Sequence, residues 1–201
     1  ARHLVVRRQR RLCHVALDDD TANEIRDHFV TYHGEDIAEN PMYGFRQLRE
    51  IAVKALSPGI NDPGVAILCI EHLSELLALS VQRTSCHCIS DADGNPRILK
   101  NDFDFESLFE LSVVPIKTYG KRDQTVLRAL LSAAYQISLY DDKNTARAIL
   151  QKFALSVVED ADENINSNLE RGLLNRRISK LNDTQYFDIR LLVSAAQAPS
   201  K

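Results

Sequence analysis

The sequence predicts a mainly α-helical fold, a multi-helix bundle with one small β-hairpin. Seven Gly and six Pro among 201 residues are about half the usual share, too few for the many turns of an all-β chain. Apolar residues recur at i, i+3, i+4 and i+7 along most of the length, which is the spacing of one buried helix face. Extended character is confined to the short runs Cys86–Ser90 and Arg97–Lys100, which flank Asp91-Ala92-Asp93-Gly94-Asn95. The Asp-Gly pair suits a hairpin turn. A two-stranded ribbon is marginal alone, so it is expected to pack on the helices or on a partner.

The elements follow in order. Residues 1–17 form a basic arm, with Arg2, Arg7, Arg8, Arg10 and Arg11 and no acid through residue 11. Residues 18–201 are expected to form a single α-helical domain. Its first helix spans Thr21–Tyr32, with Asp19 and Asp20 as N-cap candidates and Gly34 as its end. Asn40-Pro41 starts a second helix, an N-cap residue followed by Pro at the first helical position. Phe45, Leu48, Ile51, Ala52, Ala55 and Leu56 are its expected buried face, with Arg46, Glu50 and Lys54 paired along the opposite side. Ser57-Pro58-Gly59-Ile60-Asn61 stops it. Asp62-Pro63 repeats the start signal for a third helix, Pro63 to Val81, whose first two turns are apolar nearly all round and so are expected at the centre of the domain. After the hairpin, helices are expected over Asp104–Tyr119, Asp123–Tyr140, Lys143–Glu159, Ala161–Leu174 and Thr184–Ala196, with Pro115 kinking or splitting the first.

Composition narrows the function classes. A net charge of −3 gives no global attraction to nucleic acid, so no nucleic-acid partner is expected; binding through the arginine arm would require a steep salt dependence. The longest apolar run, Val65 to Ile70, falls far short of the ~20 residues of a membrane span. Four Cys, two of them in Cys86-His87-Cys88, do not form a secreted disulfide pattern, and a reduced compartment is expected. The chain opens at Ala1 and its one methionine is Met42, so a portion of a longer protein is expected.

Several candidate chemistries fail on spacing. In a strand, Cys86 and Cys88 face one way and His87 the other, and no second cluster completes a four-ligand zinc site. The acids at 91–95 lack the closing Glu of a calcium loop, since Asp102 stands there. His28, His33 and the Cys13-His14 pair have no fixed geometry. No nucleophile elbow, phosphate-binding glycine loop or zinc-protease motif is present. No catalytic residue, cofactor or metal is expected.

The segment Tyr43–Pro63 is more informative. It reads as a helix, a rigid turn and a capped second helix. Pro58-Gly59 followed by Asn61-Asp62 can align several backbone N–H groups, and the next helix adds its positive end. With Arg46, Arg49 and Lys54 behind it, the corner made by Ser57, Asn61 and Asp62 is the candidate site for a small anionic ligand. The competing reading, favoured by the residues alone, is an interhelical corner whose Asn61 and Asp62 cap free backbone groups.

Gly44-Phe45-Arg46-Gln47-Leu48, Ile51-Ala52 and Ala55-Leu56-Ser57-Pro58-Gly59-Ile60-Asn61-Asp62-Pro63 resemble the signature of a bacterial family of predicted membrane proteins of unknown function. In that family several amino-terminal transmembrane helices precede a region carrying the Ala-Leu-Ser-Pro-Gly-Ile-Asn-Asp-Pro motif. The resemblance is specific over Gly44–Pro63 and extends more weakly over Leu12–Leu139. After Pro63 the family pattern calls for small hydroxylated residues followed by Ala, where this chain has Gly64-Val65-Ala66.

The resemblance implies the soluble carboxyl-terminal domain of a membrane protein, located at the cell membrane on its cytoplasmic side. Attachment would come through a transmembrane region this chain lacks, with the basic arm close to the lipid surface. The expected function is non-catalytic, in assembly, gating or ligand sensing, with a homo-oligomer formed through the long amphipathic helices. The alternative is an enzyme acting on a small anionic or phosphorylated substrate, with Asp62 as acid or base and Arg46 or Arg49 as electrostatic partner.

Overall fold

The computed structural model describes residues 40–83, 88–90, 96–99 and 104–194, with single positions at 19, 20, 23, 27, 37 and 93. Asp19, Asp20, Asn23 and Asp27 are helical; the rest of the expected first helix, and the basic arm, lie outside the described residues.

Among the described residues the architecture is mainly α, with helices α1 (Pro41–Ala55), α2 (Pro63–Val81), α3 (Phe105–Gly120), α4 (Gln124–Ser138), α5 (Arg147–Asn164) and α6 (Asn168–Asn182). Short strands β1 (Cys88–Ser90) and β2 (Pro96–Leu99) pair antiparallel, Cys88 opposite Leu99 and Ile89 opposite Ile98, with an irregularity before Ser90. Of the connecting residues only Asp93 is described, in a turn; Cys86 and His87 lie outside.

Helices α2 and α4 form the most extensive pair. Helices α1 and α3 pack on α2, and α5 and α6 pack on α4. Leu73 and Leu77 of α2, Phe109 and Ile116 of α3, Leu127, Leu130 and Leu131 of α4, Leu150 of α5 and Ile178 of α6 join one continuous core. Phe109 meets Phe153 edge to face, with ring centroids 4.9 Å apart. Acidic caps set several helix starts: Asp104 accepts from the Ser107 amide at 2.8 Å, and Asp123 from those of Thr125 and Val126 at 2.7 and 3.1 Å. At the α3–α4 corner Gly120 is required by space. A Cβ there would stand 2.4 Å from Val126 Cγ1, and Val126 is fully buried.

Four expectations are corrected. Helix α3 runs from Phe105 to Gly120 unsplit through Pro115, because Val113 and Ile116 on either side are anchored in the core. The break expected near residue 160 falls instead at Ile165–Ser167, where Ser167 caps α6 by accepting from the Glu170 amide. The first turns of α2 are not central on all sides, since Val65 and Leu68 are exposed. Of the expected buried face of α1, Phe45, Ala52 and Ala55 are buried, but Ile51 is exposed.

A further correction concerns the carboxyl-terminal segment. Residues 187–194 form no helix and run as a strap without regular secondary structure. Three carboxamides each grip one strap residue by both backbone groups: Gln151 on Asp188, Asn182 on Ile189 and Asn175 on Leu192. The strap's polar backbone is thus satisfied without a helix, while Phe187, Ile189 and Leu192 turn into the core. Arg171, buried at 2% exposure, fixes both ends of the break by donating to the carbonyls of Ile165, Asp162 and Val193 and to the Asp162 carboxylate.

Candidate functional site

The corner between α1 and α2 is built from backbone hydrogen bonds. Helix α1 closes at Leu56, and Ser57 caps it, its hydroxyl donating to the Lys54 carbonyl at 2.7 Å. The amides of Ile60 and Asn61 both donate to the Ser57 carbonyl, at 3.0 and 2.9 Å, and the Asp62 amide donates to the Ala55 carbonyl at 2.8 Å. Asn61 takes a left-handed conformation at φ 50°, which Asn tolerates better than most residues. Asp62 then starts α2, with Oδ1 accepting from the Val65 amide at 3.2 Å.

The amides of Ile60, Asn61 and Asp62, which could have cradled an anion, are therefore spent on the chain's own carbonyls. The corner itself is open: Lys54, Pro58, Gly59, Ile60, Asn61 and Asp62 are exposed, and Ser57 is half-buried. Among the described residues no group donates to Asp62 Oδ2.

The candidate residues do not all converge. Lys54, Ser57, Asn61 and Asp62 share the corner. Arg49 instead pairs with Glu50 at 2.8 Å, and Arg46 lies over the Tyr43 ring, 5.5 Å from its centroid. Arg46 is ten residues before Leu56, ~15 Å along a helix at 1.5 Å per residue. Glu50 takes Arg49 as partner rather than the Arg46 and Lys54 expected from the i, i+4 rule.

Two further features are tertiary. Between α2 and α4 runs a cleft of about 660 Å³, lined by Glu71, Ser74 and Glu75 of α2, by Arg128 and Ser132 of α4, and by Tyr140 just beyond α4. Beside it, α2 turns Val65, Leu68, Leu76 and Leu79 outward, at 39, 52, 38 and 56% exposure. By length and composition α2 is apolar enough to cross a membrane, yet Ala66, Ile70, Leu73 and Leu77 bury its other side in the bundle. Leu76 and Leu79 stand outward beside the buried Leu73 and Leu77, a division that hydrophobicity alone does not reveal. No group of three metal-ligating side chains gathers among the described residues.

The curated relatives carry no assigned activity. An uncharacterized protein of Mycobacterium bovis and two of Mycobacterium tuberculosis strains are each 27% identical to this chain over 133 residues. The match covers 66% of this chain and 26% of each relative, so the chain spans about a quarter of their length. No solved structure matches it. The model of a family described as predicted membrane protein, DUF2254, matches residues 4–136. Those residues hold the α1–α2 corner, α2, α3 and most of α4, and on that match the chain belongs to the DUF2254 family of predicted membrane proteins.

Proposed function

We propose that the chain is a non-catalytic helical domain of a membrane protein, held on the cytoplasmic side and acting in assembly, with gating or ligand sensing built on that assembly. The observation that carries this reading is the outward apolar face of α2. Contiguous exposed apolar surface marks interaction sites in soluble folds, and this face runs nearly the whole helix. The corner supports the same reading: Asp62 caps α2, Ser57 caps α1, and Arg49 is committed to Glu50. Its charged groups serve the helices more than they converge on a substrate.

A second reading rests on Asp62 and Lys54, which are both exposed at the corner. It makes the corner a site for a small anionic or phosphorylated substrate, with Asp62 as acid or base. A thermal-shift screen of the 201-residue chain against nucleotides, phosphorylated metabolites and inorganic phosphate separates the two. A ligand at 100 times its dissociation constant adds ~2.7 kcal/mol, a shift of a few degrees for a domain of this size. The assembly reading predicts no shift that Asp62→Asn abolishes. A shift lost in that variant would move the function to the corner.

A further inference from the structure

We infer that α2 is the interface of a two-fold symmetric, antiparallel dimer of this chain, with His72 on the axis. The inference rests on the assembly reading above and names its surface. At 100° per residue, Val65, Leu68, His72, Leu76 and Leu79 fall within an arc of about 80° on one side of the helix. All five are exposed. Their spacing is symmetric about His72: apolar residues stand seven and four positions before it, and four and seven positions after it. A second copy turned 180° about an axis through His72 therefore sets Val65 against the partner's Leu79 and Leu68 against the partner's Leu76, and the reverse. That is the self-complementary arrangement a two-fold interface demands.

The charges follow the same symmetry. Arg83 stands two residues beyond the end of α2, just past its carboxyl-terminal cap Gln82; it is exposed and has no ion-pair partner among the described residues. Asp62 lies ten residues before His72, exposed, with Oδ2 unclaimed there. In the antiparallel dimer each Arg83 comes opposite the partner's Asp62, closing both ends of the apolar stripe. At a shallow crossing of ~20°, helices about 16 Å from their crossing point have separated laterally by only ~6 Å, within reach of an arginine side chain. The α1–α2 corner thereby gains a second role, as the end-stop of the interface.

Charge favours a second copy over an unrelated protein, since Asp62 and Arg83, exposed at opposite ends of α2, each find the complementary group on an antiparallel copy. Chemistry favours it over a lipid surface. His72 sits mid-stripe with Glu75 3.5 Å from its ring, and hydrocarbon would have to bury those groups, whereas a second copy leaves Glu75 at the rim.

Sedimentation velocity on the 201-residue chain, up to about 100 µM, tests this in the micromolar range of weak dimers. The wild-type chain is expected to be dimeric. Leu68→Glu places a charge in the stripe twice per dimer and should weaken association at least ~tenfold, with an unchanged circular dichroism spectrum. Arg83→Glu should weaken it as well, and Leu169→Glu, exposed on α6, should not. A dimer unaffected by Leu68→Glu would overturn this interface and leave the assembly reading standing. A monomer at every concentration would overturn both. A monomer that pellets with phosphatidylglycerol–phosphatidylcholine vesicles, and ceases to in Leu68→Glu, would overturn the dimer in favour of lipid.

Discussion

Tyr186 donates a 2.6 Å hydrogen bond to Oδ2 of Asp141, joining the carboxyl-terminal strap to the α4–α5 connection across 45 positions of sequence. Asp141 is 4% exposed and also accepts from Thr145 and from the Ala146 amide, so it caps α5, whose N-cap residue Ala146 makes no side-chain capping bond. Arg147, first residue of α5, donates to the Tyr186 carbonyl at 3.0 Å and closes the loop.

The pair makes stability depend on pH at both extremes. Burial pushes the Asp141 carboxyl up, but hydrogen bonds from Tyr186, Ala146 and Thr145 outweigh it and hold its pKa below the usual carboxylate value. Its contribution is therefore present above pH ~4 and is lost as pH falls through the folded-state pKa. Burial, then the bond to Asp141 and its negative charge, push the Tyr186 phenol up. That contribution is present below pH ~10 and declines above it, where only the unfolded chain ionises. Tyr186→Phe should cost ~1.5–3 kcal/mol near neutrality and remove the alkaline limb. Urea unfolding of both proteins from pH 3 to 11 checks this; an alkaline limb retained in the variant would assign it to other groups.

Gly120→Ala should destabilise by ~1–3 kcal/mol. The new methyl would meet Val126 Cγ1 at 2.4 Å, and Val126 is fully buried and closely packed. Thermal unfolding measures the loss, and an unchanged midpoint would mean that the α3–α4 corner opens without cost.

The strap gives a prediction that hydrogen exchange reads. Asn175→Ala removes the donor and acceptor that hold Leu192, and Asn182→Ala does the same for Ile189. Each should raise amide exchange at residues 187–193 well before it affects α2 or α4, because local opening does not require global unfolding. Equal acceleration throughout would instead make the strap part of the global folding unit.

At the corner, Asp62→Ala should cost ~1 kcal/mol and Asp62→Asn only a few tenths, since Asn caps nearly as well as Asp. Chemical denaturation of the two variants separates the capping role from any role of the charge.

Most of the helices were legible in sequence because their ends carry local signals. Asp62-Pro63, Asp104 and Asp123 announce α2, α3 and α4, and each side chain accepts an amide of its own first turn. Asn40-Pro41 marks the start of α1 equally well, though the Asn40 side chain makes no capping bond. The carboxyl third was less legible because its determinants are distant in sequence. The residues after Thr184 have helical composition, and what holds 187–194 out of a helix is the grip of Gln151, Asn175 and Asn182. The corner itself was readable as a turn, but not that its amides would fold back onto the Ser57 and Ala55 carbonyls. The outward face of α2 was in plain view as spacing, yet which arc of an apolar helix meets solvent is decided only by where its neighbours pack.

The central claim is that α2 meets its own copy antiparallel at His72, and site-directed cross-linking tests it most directly. In a background of Cys13→Ser, Cys69→Ala, Cys86→Ser and Cys88→Ser, single cysteines are placed by His72→Cys and by Leu79→Cys. The axis position meets its own copy, whereas two copies of position 79 stand ~21 Å apart at 1.5 Å per residue, too far for a disulfide. The account predicts a covalent dimer for His72→Cys under mild oxidation and none for Leu79→Cys. Equal cross-linking at both positions, or none at His72→Cys, would contradict it.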